Sequence, residues 1–218
     1  ESLRPGRGRT EGYPVNFQQL NRKVHTYTAL FFLLSFCLFA ISGLMLNHRW
    51  SIWEYWSKRV ETEHPIAVPL PAEGSNLEIA RSVLSQIDIA GEIRTLRIDS
   101  EAGRLEINTT RPGLKTSVVV DTNTGTGTLT TTELNAWELL PSMHVMADLH
   151  SNIPEKKNWA WTQAWSLIMD LTAIAMLVLA ASGLYMWIGL KSERKIGLIV
   201  LESGATVFLI VFWFLAKF

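Results

Sequence analysis

Cysteine is almost absent from this 218-residue chain: Cys37 stands alone. No intrachain disulfide and no thiolate metal cage can therefore form. Any domain outside the cytoplasm has to fold without a covalent staple. Net charge is missing too, with 20 basic residues against 20 acidic ones. A nucleic-acid surface leaves a basic excess, so nucleic acid is not an expected partner. Disorder requires low hydrophobicity and high net charge, and the composition argues against it. Nor does the chain carry a phosphate loop, an HExxH pair, a dinucleotide fingerprint or a nucleophile–base constellation.

What is present is apolar and unevenly spread. Apolar residues make up 48% and charged ones 18%, with a mean hydropathy of +0.15. Crossing a bilayer takes about 20 mostly apolar residues, and three stretches meet that length: 24–46, 166–190 and 197–218. The first is too long and too far from the start for a secretory signal, and it reads as an uncleaved anchor. Arg4, Arg7, Arg9, Arg22 and Lys23 precede it, and Lys191, Arg194 and Lys195 lie between the second and third stretches. The positive-inside rule then predicts a cytoplasmic N-terminus, a large loop outside, a short link inside and a C-terminus outside.

The expected organisation is a basic tail (1–23), a first span (24–46), an interfacial segment (47–58), a soluble domain (59–140), a connector (141–165), a second span (166–190), a link (191–196) and a third span (197–218). Trp50, Trp53 and Trp56 follow the first span, and Trp159, Trp161 and Trp165 precede the second. Indoles favour the headgroup level, so these six form an aromatic belt or a surface for a partner or pigment. The spacing of the first three predicts an interfacial helix over 50–58.

Within the soluble domain, residues 64–71 are Pro-rich and extended. Ser75 or Asn76 caps a helix, NLEIARSVLSQI, with Leu77, Ala80, Val83, Leu84 and Ile87 on one face and Gly91 ending it. Alternation then marks strands in EIRTLRID, RLEIN and LKTSVVVD, separated by turn chemistry at 100–103 and 111–113, and DTNTGTG turns into a Thr-rich strand. The fold class expected is α+β: three transmembrane helices, with one helix packed on an antiparallel sheet between the first and the second.

These motifs together resemble the PepSY-associated transmembrane (PepSY-TM) family. The resemblance rests on Arg22-Lys23-x-His25 opening the first span and Ser42-Gly43-Leu44 with Asn47 closing it. It rests further on the Pro-rich lead into NLEIARSVL, on VVVDTNTGTG, and on Leu149-His150 ahead of a span ending Ser182-Gly183-Leu184-Tyr185-x-Trp187. It implies a small PepSY-like periplasmic domain held by flanking helices. The family is functionally mixed: some larger members are thought to hold haem b between histidines and to reduce ferric chelates.

Candidate chemistry is thin. Haem b requires two facing imidazoles. His48 with His144 or His150 is the only pair expected on one side of the membrane, since His25 falls at the opposite end and the second and third spans hold no histidine. His144, Asp148 and His150 form a second, metal-binding option, although a spacing of six is not that of two ligands on one helix face. Asp170 lies inside the second span, where an ionisable group is costly and implies a partner or a function. Ser42-Gly43-Leu44 and Ser182-Gly183-Leu184 echo one another, and small residues let helices approach closely.

The expectation that follows is a non-catalytic accessory subunit of a larger inner-membrane complex, respiratory or photosynthetic, needing no cofactor. Its partners are the lipid bilayer and other membrane subunits, and its contact residues include Trp50, Trp53, Trp56, Ser42, Gly43, Ser182, Gly183 and Asp170. Two alternatives stand beside it: a haem b electron-transfer or ferric-chelate reductase subunit using His48, His144 and His150, and a PepSY-type regulator of a periplasmic peptidase. Catalysis is left open, with the balance against it.

Overall fold

Alternating apolar residues build the sheet that the computed structural model contains. The structure describes residues 16–48, 56, 58–71, 74–99, 101–146, 152, 154–155 and 157–217. Five strands, β1 (Arg59–Ala67), β2 (Glu92–Asp99), β3 (Arg104–Arg111), β4 (Leu114–Asp121) and β5 (Thr126–Leu134), form one antiparallel sheet in the order β1-β5-β4-β3-β2. Leu105 and Ile107 of β3 pair with Val120 and Val118 of β4 on a common face. Against that face lie Ala80, Val83 and Leu84 of α3 (Asn76–Gln86), all buried. Helical period on one side and period two on the other make this the core.

Local chemistry fixes the ends of α3. Ser75 is its N-cap: its hydroxyl accepts from the Glu78 N–H, and the Glu78 carboxylate accepts from the Ser75 N–H, a reciprocal capping box. Those Ser75 hydrogen bonds hold the Glu78 carboxyl below the ordinary carboxylate value. The helix stops at Gln86 rather than running to Gly91, because Asp88 turns left-handed (φ 53°).

The two sheet edges differ. β1 lies at one edge and is exposed along nearly its whole length. β2 lies at the other and is covered by two asparagines. Asn152 exchanges both amide hydrogen bonds with the Leu96 backbone (3.0 and 3.1 Å), and Asn158 does the same with Ile93 (3.0 and 2.9 Å). Each side chain substitutes for the peptide group of a neighbouring strand.

The remaining helices are α1 (Phe17–Phe31), α2 (Leu33–Asn47), α4 (Ala136–Val145), α5 (Ala160–Gly189) and α6 (Arg194–Lys217). Among the described residues, two helical stretches, α5 and Lys191–Lys217, are long and apolar enough to cross a membrane. A third crossing exists if α1 and α2, broken at Phe32, are taken as one bent span. The helix that carries the expected second span begins at Ala160, and the residues of the expected first span fall on two helices, α1 and α2. The interfacial helix expected over 50–58 lies mostly outside the described residues. Trp56, the one tryptophan of that triplet described, packs edge-on against Trp137 with ring centroids 5.0 Å apart.

By contacts the chain divides into two units. One holds α1, the α5 residues from Ala173 onward and α6. The other runs Leu34–Thr172 and holds nearly all of α2, the sheet domain, α4 and the start of α5.

Candidate functional site

The repeated Ser-Gly-Leu tripeptides each receive a histidine. In the Leu34–Thr172 unit, α2 carries Ser42 and Gly43, and α4 carries His144. The His144 Nδ1 lies 2.8 Å from the Ser42 Oγ. That hydroxyl also lies 3.3 Å from the Phe39 carbonyl of its own helix, a second partner for its single proton. The Gly43 backbone lies along the ring: a Cβ there would meet His144 Cε1 at 3.5 Å. The Phe39 ring closes on the imidazole edge-on at 5.3 Å. Trp165, in the first turns of α5, donates its indole N–H to the Met143 carbonyl, one residue before the histidine (2.9 Å).

The other unit repeats the arrangement with different helices. Phe17, Asn21 and His25 recur every four residues of α1 and so share a face. The His25 Nδ1 lies 2.8 Å from the Ser182 Oγ, which donates to the Leu179 carbonyl (3.1 Å). Asn21 donates to the Ser182 carbonyl (3.1 Å), Phe17 meets Tyr185 edge-on at 5.1 Å, and a Cβ at Gly183 would lie 3.6 Å from His25 Cε1. Ser42 and Ser182 are buried. In both seats a glycine lets the imidazole approach the helix backbone closely. Replacing Ser42 or Ser182 with alanine is expected to destabilise the chain by about 1 kcal/mol each, read as lower resistance to denaturing detergent. No change in either variant would show that the seats carry no energy.

A third polar cluster was not visible in the sequence. Glu92, 1% exposed, accepts from the backbone N–H groups of Asn158 (2.9 Å) and Trp159 (2.8 Å), immediately ahead of α5. A carboxylate there satisfies two orphan donors and complements the positive end of the helix. Next to it, Arg94 occupies a bulge in the β2–β3 register and donates to the Met146 carbonyl. Burial pushes the Arg94 guanidinium down from its ordinary value, and the Glu92 charge opposes that shift.

Of the other expected site residues, His48 donates its Nδ1 proton back to the Leu44 carbonyl of α2 (3.0 Å). His150, Asp148, Trp50 and Trp53 lie outside the described residues. Among the described residues, no group of three or more His, Cys, Asp or Glu side chains is arranged to hold a metal ion. Asp170 is exposed on α5, ten residues after Ala160, or about 15 Å along the axis.

These features define a membrane protein of the α+β class, in which a buried carboxylate of the five-stranded sheet meets the start of α5 and histidine–serine contacts join helix to helix. The chain belongs to the family described as "Putative PepSY_TM-like", whose model matches residues 18–216. The resemblance read from the motifs is thereby borne out. No curated protein and no solved structure matches the chain.

Proposed function

We propose that this chain is a non-catalytic accessory subunit of a larger inner-membrane assembly. Its N-terminus and the 191–196 link lie in the cytoplasm and its sheet domain in the periplasm. The observation that carries the reading is α6: twenty-four mostly apolar residues, none of them buried by the rest of the chain. At its C-terminal end Phe208 stacks on Phe212 (6.1 Å, 16°), Trp213 meets Phe214 edge-on, and Lys217 lies over the Trp213 ring at 4.7 Å. Such a preformed aromatic surface offers neighbouring helices or pigments a rigid contact. Asp170 supports the reading, because an exposed carboxylate on a spanning helix calls for a partner.

Solubilising native membranes in mild detergent tests this directly. The chain should migrate with other membrane subunits, and changing Phe208 and Phe212 to alanine should weaken that association about tenfold. A chain that migrates alone, with no partner retained, overturns the proposal.

One observation favours a second reading. His25 and His144 each meet a serine through Nδ1, and when that nitrogen carries the proton, Nε2 offers the lone pair that haem iron takes. Each residue is chemically fit to supply one axial ligand, with serine as the orienting partner. Bound haem b would supply one-electron transfer. A purified chain from haem-replete cells that shows a Soret band, lost in His144→Ala or His25→Ala, would favour this reading over the first.

A further inference from the structure

At the end of the molecule where α5 turns into α6, a cleft of about 580 Å³ opens against the start of α1. Its polar walls include Gln19, Arg22, Tyr185 and Arg194, and its apolar walls include Met186 and Ile188. All of these residues belong to a single compact unit. The cleft is held open by contacts already described: Phe17 on Tyr185, Asn21 on the Ser182 carbonyl and His25 on the Ser182 hydroxyl. On the opposite wall, Arg194 is anchored by its Nε to the Ile188 carbonyl (2.8 Å). Its two terminal nitrogens have no partner among the described residues, and Arg22 has no hydrogen bond or ion pair among them.

Charge at this end is one-sided. Arg22, Lys23, Lys191, Arg194 and Lys195 lie here, against Glu193 alone in residues 16–33 and 186–200. Two guanidiniums with open N–H groups match a phosphodiester, which they can grip in a planar fork. The apolar half of the lining and the exposed Ile188, Leu190 and Ile196 beside it match acyl chains. A soluble anion would use only the first of these features, whereas a lipid uses both. Basic pockets between spanning helices on the positively charged side are suited to anionic headgroups.

We infer that this cleft binds the phosphate of an anionic membrane phospholipid, with Arg22 and Arg194 as the headgroup ligands and Met186 and Ile188 against its glycerol and acyl chains. The site lies in the leaflet where the α5–α6 turn emerges. It does not depend on the accessory-subunit reading, because every residue involved comes from this chain.

The test is native mass spectrometry of the full chain released from nanodiscs of phosphatidylglycerol mixed with phosphatidylcholine. Wild-type protein should retain phosphatidylglycerol preferentially. Arg22→Gln and Arg194→Gln should each lower that preference about fivefold. Lys23→Gln with Lys195→Gln, an equal loss of charge outside the cleft lining, should lower it less than either. Arg22→Lys with Arg194→Lys, which keeps the charge and loses the planar fork, should retain only part of it. For wild-type protein, rising salt should reduce phosphatidylglycerol retention and leave phosphatidylcholine unaffected. That arm stands even if the glutamine variants fail to fold. Unchanged preference in the cleft variants, an equal loss in the lysine control, salt-independent retention, or displacement of the lipid by inorganic phosphate would each overturn the inference, the last by assigning the cleft to a soluble anion.

Discussion

Gly127→Ala is expected to lower the stability of the sheet domain by about 3 kcal/mol or more. Gly127 sits on β5 opposite Val120 of β4, at the junction between two interior strands. A Cβ there would fall 2.8 Å from Val120 Cα and closer still to the Val119 carbonyl oxygen. Both obstacles are backbone, so no side chain can rotate to make room, and β5 must move away from β4. That motion also carries β1, which is paired only to β5. Thermal unfolding of the intact chain in detergent should start roughly 10 °C lower. Hydrogen exchange should accelerate first in β1, β4 and β5. An unchanged melting curve would mean that the close approach at Gly127 is not real.

Glu92→Ala carries the second large effect. It strips the acceptor from two backbone N–H groups at the start of α5, removes a negative charge from the helix N-terminus, and takes away the charge that offsets part of the burial cost of Arg94. Together these are expected to cost about 3 kcal/mol. Glu92→Gln keeps the shape and one acceptor oxygen, and it should lose roughly half as much. Exchange of the amides at 158–163 separates the two variants. If alanine and glutamine behave alike, the carboxylate charge matters and the capping geometry does not.

Much of this fold was legible because its signals are local. Leu105 and Ile107 against Val118 and Val120 alternate as a half-buried sheet must, and β2 and β4 begin and end where their alternation does. β1 gave no such signal. As an edge strand with neither face buried along most of its length, it needs no apolar alternation, and Pro65 within it argued for an irregular linker. α4 was hidden by its internal Pro141, and the break at Phe32 occurs without the proline or glycine that usually announces one. The site was half legible. The twin Ser-Gly-Leu motifs stood out as an internal echo. Their occupants did not, because His144 is 102 residues from Ser42 and His25 is 157 from Ser182. Glu92 was missed for the same reason: nothing near it in the chain indicates that it ends up capping a helix 66 residues away.

The asparagine-covered edge of β2 gives the sheet a direction of growth. Asn152 and Asn158 already take up the Ile93 and Leu96 backbone groups, so an incoming sixth strand finds that margin occupied. Only the β1 margin remains for extension. A second copy arriving there in antiparallel register about Thr62 would set Glu61 against Glu63, and about Glu63 would set that carboxylate against its own equivalent. Self-templated aggregation is thus blocked on one flank by amides and opposed on the other by like charge.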